Sequence, residues 1–387
     1  MFRRVINILK SNSFFLFGAR GTGKTKLLTT EFLPEISLRL DLLDPELEDR
    51  LVKSPNELNR ILAQCPAGVE WILLDEVQRA PALLNIVHQR IEEGRFKFGL
   101  TGSSARKLKR GQANLLAGRA FTYRLHPLTH LELGDQFDLE EVLSWGSLPR
   151  TCTLKTQEER RAYLRTYVDT FLREEIIAEQ IVRSLAPFRR FLDIAAQTNA
   201  EIVNYSAIAR DVGADPNTVK AYFEVMEDTL VGYMLPAFGR SLRKQQRRAP
   251  KFFLFDCGVT RALERSLASP LQPASFSYGK LFEQFIVMEI MRLNDYLRKD
   301  SRLSYFRTKD DLEVDLVLER AGEKTIFIEI KSTARVTEAH VSQLNRLAAE
   351  FGECCFYCFS NDPLSKRIGK TACLHWKAGL SEIGMCR

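Results

Sequence analysis

Three groups of residues in this 387-residue chain have the types and spacings that chemistry requires. The first is Gly18-Ala19-Arg20-Gly21-Thr22-Gly23-Lys24-Thr25, inside FFLFGARGTGKTKLL. Glycines let a loop turn successive backbone N–H groups inward onto phosphate oxygens. A helix opening at the end of the loop aims its positive terminus at the same anion. The Lys24 ammonium can then reach β- and γ-phosphates, and the Thr25 hydroxyl can ligate Mg2+. The whole stretch from Gly18 to Thr25 is expected to bind ATP, with Lys24 also acting in catalysis. In EWILLDEVQRAP an apolar run ends in Asp75 and Glu76. Asp75 is placed to hold Mg2+ through water, and Glu76 to orient the attacking water as general base. RFKFGLTGSSARKL ends another apolar run in Thr101, Ser103 and Ser104, hydroxyls suited to sensing the γ-phosphate.

The second group is Glu283, Asp315, Glu329 and Lys331. IFIEIK, residues 326–331, reads as a buried strand carrying a carboxylate and an ammonium. Side chains alternate across a strand, so Phe327, Glu329 and Lys331 share one face. Glu329 and Lys331 are either a structural ion pair or half of an active site. Asp315 shares a strand face with Glu313, and a short RAGEK loop joins LSYFRTKDDLEVDLVLE to TIFIEIKS as a hairpin of two strands. Such a hairpin brings Asp315 beside Glu329 and Lys331. Glu283 lies among apolar neighbours in GKLFEQFIVMEIMRLNDYL. Carboxylates clustered in this way are oxygen ligands for Mg2+, or for Mn2+. Such a cation polarises a phosphodiester and acidifies a bound water, while Lys331 would stabilise the developing charge.

The third group is basic. YSAIARDVGADPNTVKAYFEVMEDTLVGYML has the punctuation of a helix-turn-helix, with the turn at Gly213 and the second helix starting near Pro216. That second helix carries Lys220. TLVGYMLPAF and KFFLFD read as strands of a wing, and GRSLRKQQRRAPK between them supplies Arg240, Arg243, Lys244, Arg247, Arg248 and Lys251. These side chains are candidates for nucleic-acid phosphates, with backbone contact favoured over base readout because Glu224, Glu227 and Asp228 share the helix. A solvated basic loop on a packing module is the competing reading.

The elements that must position these groups follow from apolar periodicity. FFLF, SLRLDLL, EWILLD, RFKFGL and AFTYRLHPL read as strands alternating with helical stretches, which predicts a doubly wound parallel sheet. From about residue 155 to 200 the pattern is helical, and GKLFEQFIVMEIMRLNDYL reads as an amphipathic helix. EAHVSQLNRLAAEF, with Gln343, reads as a further helix. CCFYCF, with Cys354, Cys355 and Cys358, reads as a buried strand with free thiols; no second Cys or His pair stands at zinc spacing.

Taken together, the Gly18–Thr25 loop, the Asp75-Glu76 strand end and the polar-ended Thr101 strand resemble the AAA+/STAND-type P-loop ATPases. LTGSSARKL and LAGRAFTYRLHPLTHLEL are similar to a prokaryotic family of these ATPases that carries a C-terminal domain called DUF4143. The resemblance implies that an arginine of a neighbouring subunit completes the site, with Arg119 the first candidate, Arg106 the second, and Ser103 as sensor. Either arginine could instead be solvated or paired with a local carboxylate. The helix acid, the Asp and the Glu-x-Lys resemble the PD-(D/E)xK nuclease core, and Gln343 resembles a helical glutamine of that superfamily. The proline of the superfamily name is absent; Glu313-Val314 precedes Asp315.

The fold expected is α/β throughout: a P-loop ATPase parallel-sheet domain over 1–148, a helical and winged-helix middle domain over 149–272, and a restriction-endonuclease-like C-terminal domain over 273–387. Turn-rich stretches near Leu148-Pro149 and at ASPLQPASFSYG mark the boundaries. The function expected is ATP hydrolysis coupled to DNA binding and Mg2+-dependent DNA cleavage. The alternative is an ATP-driven oligomeric switch, or a DNA-binding regulator, whose nuclease-like domain is inactive. The net charge of +7 permits an anionic partner without requiring one. No apolar run reaches membrane-spanning length, no signal peptide is read at the N-terminus, and eight cysteines without a disulfide-like framework fit a cytoplasmic protein.

Overall fold

The computed structural model describes residues 2–104, 116, 118–172, 185–239, 248–308, 310, 312–351 and 353–386. The first sheet contains β1 (Ser13–Phe17), β2 (Ser37–Asp41), β3 (Trp71–Asp75), β4 (Lys97–Gly102) and β5 (Ala120–Arg124), in the order β2-β3-β4-β1-β5. Every pairing in it is parallel. The central strands SFFLF and WILLD are buried along their whole length, as strands covered on both faces must be. Between the strands lie α1 (Lys24–Glu31), α2 (Pro45–Lys53), α3 (Glu57–Ala63) and α4 (Leu83–Glu92). The local chemistry agrees with the chain path. Asp44 caps α2 by accepting from the Glu46 N–H (3.0 Å), and Pro45 occupies its first turn.

After β5 come α5 (His130–Leu133), α6 (Leu139–Trp145), α7 (Pro149–Thr153) and α8 (Gln157–Thr166). The middle of the chain holds α9 (Leu185–Gln197), α10 (Tyr205–Val212) and α11 (Pro216–Asp228). The turn between α10 and α11 forms as its residues demand. Gly213 closes α10 with a left-handed φ of 74°, and Asp215 caps α11 by accepting from the Asn217 and Thr218 N–H groups. A small antiparallel sheet follows, β6 (Glu201–Ile202), β8 (Lys251–Leu254) and β7 (Gly232–Leu235) in that order.

The last sheet has six strands, in the order β13-β14-β12-β11-β10-β9: β9 (Arg302–Arg307), β10 (Glu313–Glu319), β11 (Ile326–Lys331), β12 (Cys355–Ser360), β13 (Lys366–Ile368) and β14 (Thr371–His375). LSYFRTKDDLEVDLVLE is therefore two antiparallel strands, not one. The polar TKDD run breaks it, and the Thr308 N–H turns back to the Leu312 carbonyl (2.9 Å). CCFYCF forms β12, and its cysteines are free thiols. Helices α14 (Glu338–Glu350) and α15 (Trp376–Glu382) pack on this sheet, as does α13 (Phe276–Leu297) at β11, while α12 (Cys257–Leu263) packs on α6.

Helix α13 departs from the amphipathic expectation. Fourteen of its 22 residues are buried, Glu289 and Arg292 among them. One continuous apolar cluster explains this. It runs from Ala19 and Leu128 through Phe188, Phe223 and Phe253 to Phe282, Ile328 and Trp376, and α13 lies within it. Among the described residues no helix is long and apolar enough to cross a membrane.

Candidate nucleotide site and an acid cluster around Lys251

The phosphate cradle forms where β1 leaves the sheet. Gly21 and Gly23 adopt φ of 80° and 95°, the left-handed region that a side chain would strain. Lys24 opens α1 with its side chain only 5% exposed. Its Nζ donates to the Gly18 carbonyl (2.8 Å) and stands 3.7 Å from Glu76 Oε1. β3 runs beside β4 and delivers Asp75 to the same place, where Thr25 Oγ1 donates to Asp75 Oδ2 (2.7 Å). Thr25 and Asp75 are oxygen donors of the class Mg2+ takes, so this pair fits that cation.

The hydroxyls expected to sense phosphate have other partners. Thr101 donates to the second oxygen of Asp75 and accepts from the Glu76 N–H (3.1 Å), so it orients the acid pair from the neighbouring strand. Ser103 accepts from Gln78 Nε2 (3.1 Å), and the same amide donates to Glu76 Oε2. Ser104 is buried. Gln78 and Arg39 were not singled out by sequence. Arg39 Nη2 lies 2.9 Å from Asp75 Oδ2 and equally close to Asp41. Its signal was the register of β2 against β3, which sets Asp41 opposite Asp75 and is invisible before the strand order is known. Arg119 pairs with Glu92 at the end of α4, the local carboxylate that sequence had left open. Arg106 lies outside the described residues.

Two further groups clamp the cradle from elsewhere in the chain. Arg4 donates to the Thr22 carbonyl (2.8 Å), the His126 carbonyl (2.6 Å) and Tyr296 OH (2.9 Å), and its Nε meets Glu132 (2.8 Å). Tyr167 OH donates to the Arg20 carbonyl (2.9 Å). Beside the cradle lies an open cavity of about 1190 Å3, lined by Phe2, Arg3, Gly21, Gly23, Lys26, Arg150 and Tyr163 among others.

In the C-terminal half the hairpin register pairs Leu316 with Ile328, so Asp315 falls next to Glu329 one step further on. Glu329 and Lys331 are an ion pair (2.6 Å), the structural reading of IFIEIK. Asp315 Oδ2 accepts from the Ile330 N–H (2.7 Å). Glu283 arrives from α13, but what it meets is Lys251. The Lys251 ammonium lies 2.7 Å from Glu283 Oε1, 2.8 Å from Glu313 Oε1 and 3.8 Å from Asp315 Oδ1. Lys251 was expected at a solvated, phosphate-facing loop. It is the first residue of β8 and is buried, because that strand packs under α13 and beside β10.

Burial alone would lower the pKa of Lys251; Glu283, Asp315 and Glu313 outweigh it and hold the ammonium above its ordinary value. Burial, then repulsion from Asp315, pushes Glu283 up to about 7 against the pull of Lys251. The same two causes push Glu329 up to about 8 against Lys331. Among the described residues no group of three or more His, Cys, Asp or Glu side chains is disposed to hold a metal ion. Glu283, Asp315 and Glu329 were expected to share a divalent cation; in this structure Glu283 and Asp315 face the Lys251 ammonium, and Glu329 faces Lys331. Gln343 is exposed on α14.

Of the nucleic-acid candidates, Lys220 is exposed on α11, and Arg248 is exposed and donates to the Arg307 carbonyl (3.0 Å). Arg243, Lys244 and Arg247 lie outside the described residues, as does Arg240.

Comparison with known proteins agrees with this geometry at a coarse level. Residues 10–134 match the profile of an AAA domain, so this part of the chain is a P-loop ATPase-like domain. Residues 278–374 match a domain of unknown function, DUF4143, and residues 136–270 match another, DUF8612. A protein of Mycobacterium tuberculosis is 27% identical over 326 residues, covering 82% of this chain and 70% of its own. One from Haemophilus influenzae is 20% identical over 81% of this chain and 80% of its own, and one from Methanocaldococcus jannaschii 19% identical over 84% and 76%. All three are described only as uncharacterized. The solved structure of Can2 from Sulfobacillus thermosulfidooxidans with cyclic tetra-adenylate covers 96% of this chain and 98% of its own at 9% identity. Its TM-score of 0.23 is too low to carry an argument.

Proposed function

We propose that the protein binds and hydrolyses ATP and uses the nucleotide state to control its C-terminal half. The observation that carries this reading is the meeting of Thr25 and Asp75 (2.7 Å), with Lys24 over the loop and Glu76 adjacent. Lys24 would leave the Gly18 carbonyl for the β- and γ-phosphates. Glu76, held by Gln78, would accept the proton of the attacking water. Thr25 and Asp75 would hold Mg2+, which supplies charge stabilisation at the phosphoryl oxygens. The Arg4 guanidinium, touching both the Thr22 carbonyl and Tyr296 of α13, is the group best placed to report a change in the loop.

The units we propose are an ATPase domain over 1–148, a winged-helix-like middle over 149–272 and a nuclease-like fold over 273–387. DNA is the partner this reading favours, through Lys220 and the Arg248 region, with retention that falls as salt rises. Arg119 remains the candidate for completing a neighbour's site in a homo-oligomer. DNA cleavage is not part of the proposal, because Lys251 takes the cation position among the acids. The deciding experiment is Lys24→Ala. ATP turnover should fall at least a hundredfold with the fold intact by circular dichroism, and turnover near wild type would overturn the reading.

A further inference from the structure

We propose that Lys251 is the resident cation of the C-terminal acid cluster, so that Glu283, Glu313 and Asp315 are held by an ammonium from the neighbouring sheet and take no divalent ion. Four observations converge on this. The ammonium makes two short contacts, to Glu283 (2.7 Å) and Glu313 (2.8 Å), and a longer one to Asp315 (3.8 Å). Its side chain is 4% exposed, so bulk solvent screens these contacts little.

Two further carboxylate oxygens of the cluster have partners of their own. Asp315 Oδ2 accepts from the Ile330 N–H (2.7 Å), and Glu329 Oε1 pairs with Lys331 (2.6 Å). Glu329 Oε2 is buried without a partner, but a single oxygen does not make the shell that Mg2+ or Mn2+ requires.

Lys251 is also held in place by its own chain. Pro236 and Phe238, just after β7, exchange backbone hydrogen bonds with Tyr305 of β9 (2.9 and 2.6 Å). Tyr305 OH donates to the Ala249 carbonyl (2.6 Å), and Arg248 donates to the Arg307 carbonyl (3.0 Å). The chain just after β7 and just before β8 is therefore tied to β9. A divalent ion entering here would face the lysine charge at contact distance, and it would have to displace a side chain that its backbone does not release.

The inference is independent of nucleotide binding at Lys24, and its test uses the full chain without nucleotide. Mn2+ is titrated into the protein and the free ion is followed by electron paramagnetic resonance. Wild type and Asp315→Asn should take up equal amounts. Lys251→Met, which keeps the stem and removes the charge, should bind one Mn2+ more than wild type and gain a Mn2+-dependent rise in Tm. Both gains should vanish in the double variant Lys251→Met with Asp315→Asn. A wild type that binds one Mn2+ more than Asp315→Asn overturns the proposal. So does a folded Lys251→Met with no added site, because the acids would then not be a cation site at all. If Lys251→Met folds only with Mn2+ present, the proposal stands. If it does not fold even then, wild type against Asp315→Asn decides.

Discussion

Lys251 and Arg39 each set a cation against carboxylates that sequence assigns to a metal, and burial separates their fates. Arg39 is 32% exposed and shares Asp75 Oδ2 with Thr25. Asp75 is buried, but the Arg39 end of the pair is open to solvent, which keeps its contribution toward the about 0–1 kcal/mol of surface pairs, so Arg39 would yield to Mg2+ at small cost. Arg39→Ala should therefore lower the Mg2+ concentration that half-saturates ATP turnover, by up to about fivefold on that scale. A higher Mg2+ requirement in the variant would mean that Arg39 assists the cation rather than competing with it. Gln78 works on the neighbouring acid. Its amide donates to both Glu76 and Ser103, so on the proposed reading it would position the base. Gln78→Ala should lower kcat by about ten- to a hundredfold, the order that misplacement of a catalytic group costs. ATP affinity, measured with a fluorescent analogue, should stay within about twofold. An affinity loss matching the kcat loss would move Gln78 into the binding site itself.

Elements carry the next set of consequences. Helix α11 ends beside β7, where Glu227 accepts from the Met234 N–H (3.2 Å). Burial, and then the neighbouring carboxylates of Asp228 and Glu224, push Glu227 up to about 7 from 4.5. The folded chain thus keeps a proton that the unfolded chain releases, and stability is lost as pH rises from about 4.5 to about 7. The full shift corresponds to at most about 3 kcal/mol, less because the side chain is partly exposed. Urea midpoints at pH 5 and pH 8 should differ less in Glu227→Gln than in wild type; equal differences would show that Glu227 ionises normally. The turn before α11 was legible in sequence because Gly213 and Asp215-Pro216 dictate it locally. The parallel strands were legible for the same reason, each being a short apolar run between helical stretches. The fate of Lys251 was not. A lysine in a run of arginines reads as solvated, and only the packing of β8 under α13 and beside β10 puts it among acids. Helix α13 misled in the same way: its charged positions suggest a wet face, yet Glu289 meets His130 (2.6 Å) and Arg292 meets the Leu128 and Phe255 carbonyls, all distant in sequence. The break between β9 and β10 was marked by TKDD but was hidden inside an otherwise apolar stretch.

At the scale of the whole molecule α13 joins three parts of the chain at once. Tyr296 at its end touches Arg4, which holds the Thr22 carbonyl of the cradle. Arg292 reaches the Leu128 and Phe255 carbonyls, and Gln284 bonds Asn199, Thr260 and the Leu254 carbonyl. Glu283, about 20 Å from Tyr296 at 1.5 Å per residue, meets Lys251. Helix α13 thus connects the contacts at Thr22 with the acid cluster. Tyr296→Phe removes the hydroxyl that accepts from Arg4 and from the His126 N–H while keeping the ring, so it should leave ATP affinity nearly unchanged. It should also weaken any nucleotide-dependent change in hydrogen exchange along 276–297; an undiminished response would place the coupling elsewhere. The same arrangement makes the proposed cut between 272 and 273 costly. A fragment of residues 273–387 would separate Glu283, Glu313 and Asp315 from Lys251, and Arg292 from its carbonyl partners. Breaking a buried charged contact from one side costs about 3–5 kcal/mol, and two such losses approach the whole stability of a domain, about 5–15 kcal/mol. The apolar surface of α13 would be exposed as well, Phe282, Phe285, Ile286 and Ile290 being buried in the intact chain. Expressed alone, 273–387 should show no cooperative urea transition by circular dichroism, whereas co-expression with 1–272 should recover a soluble complex. A cooperative transition in the isolated fragment would show that the six-stranded sheet supports α13 unaided, and that the acids there tolerate the loss of their lysine.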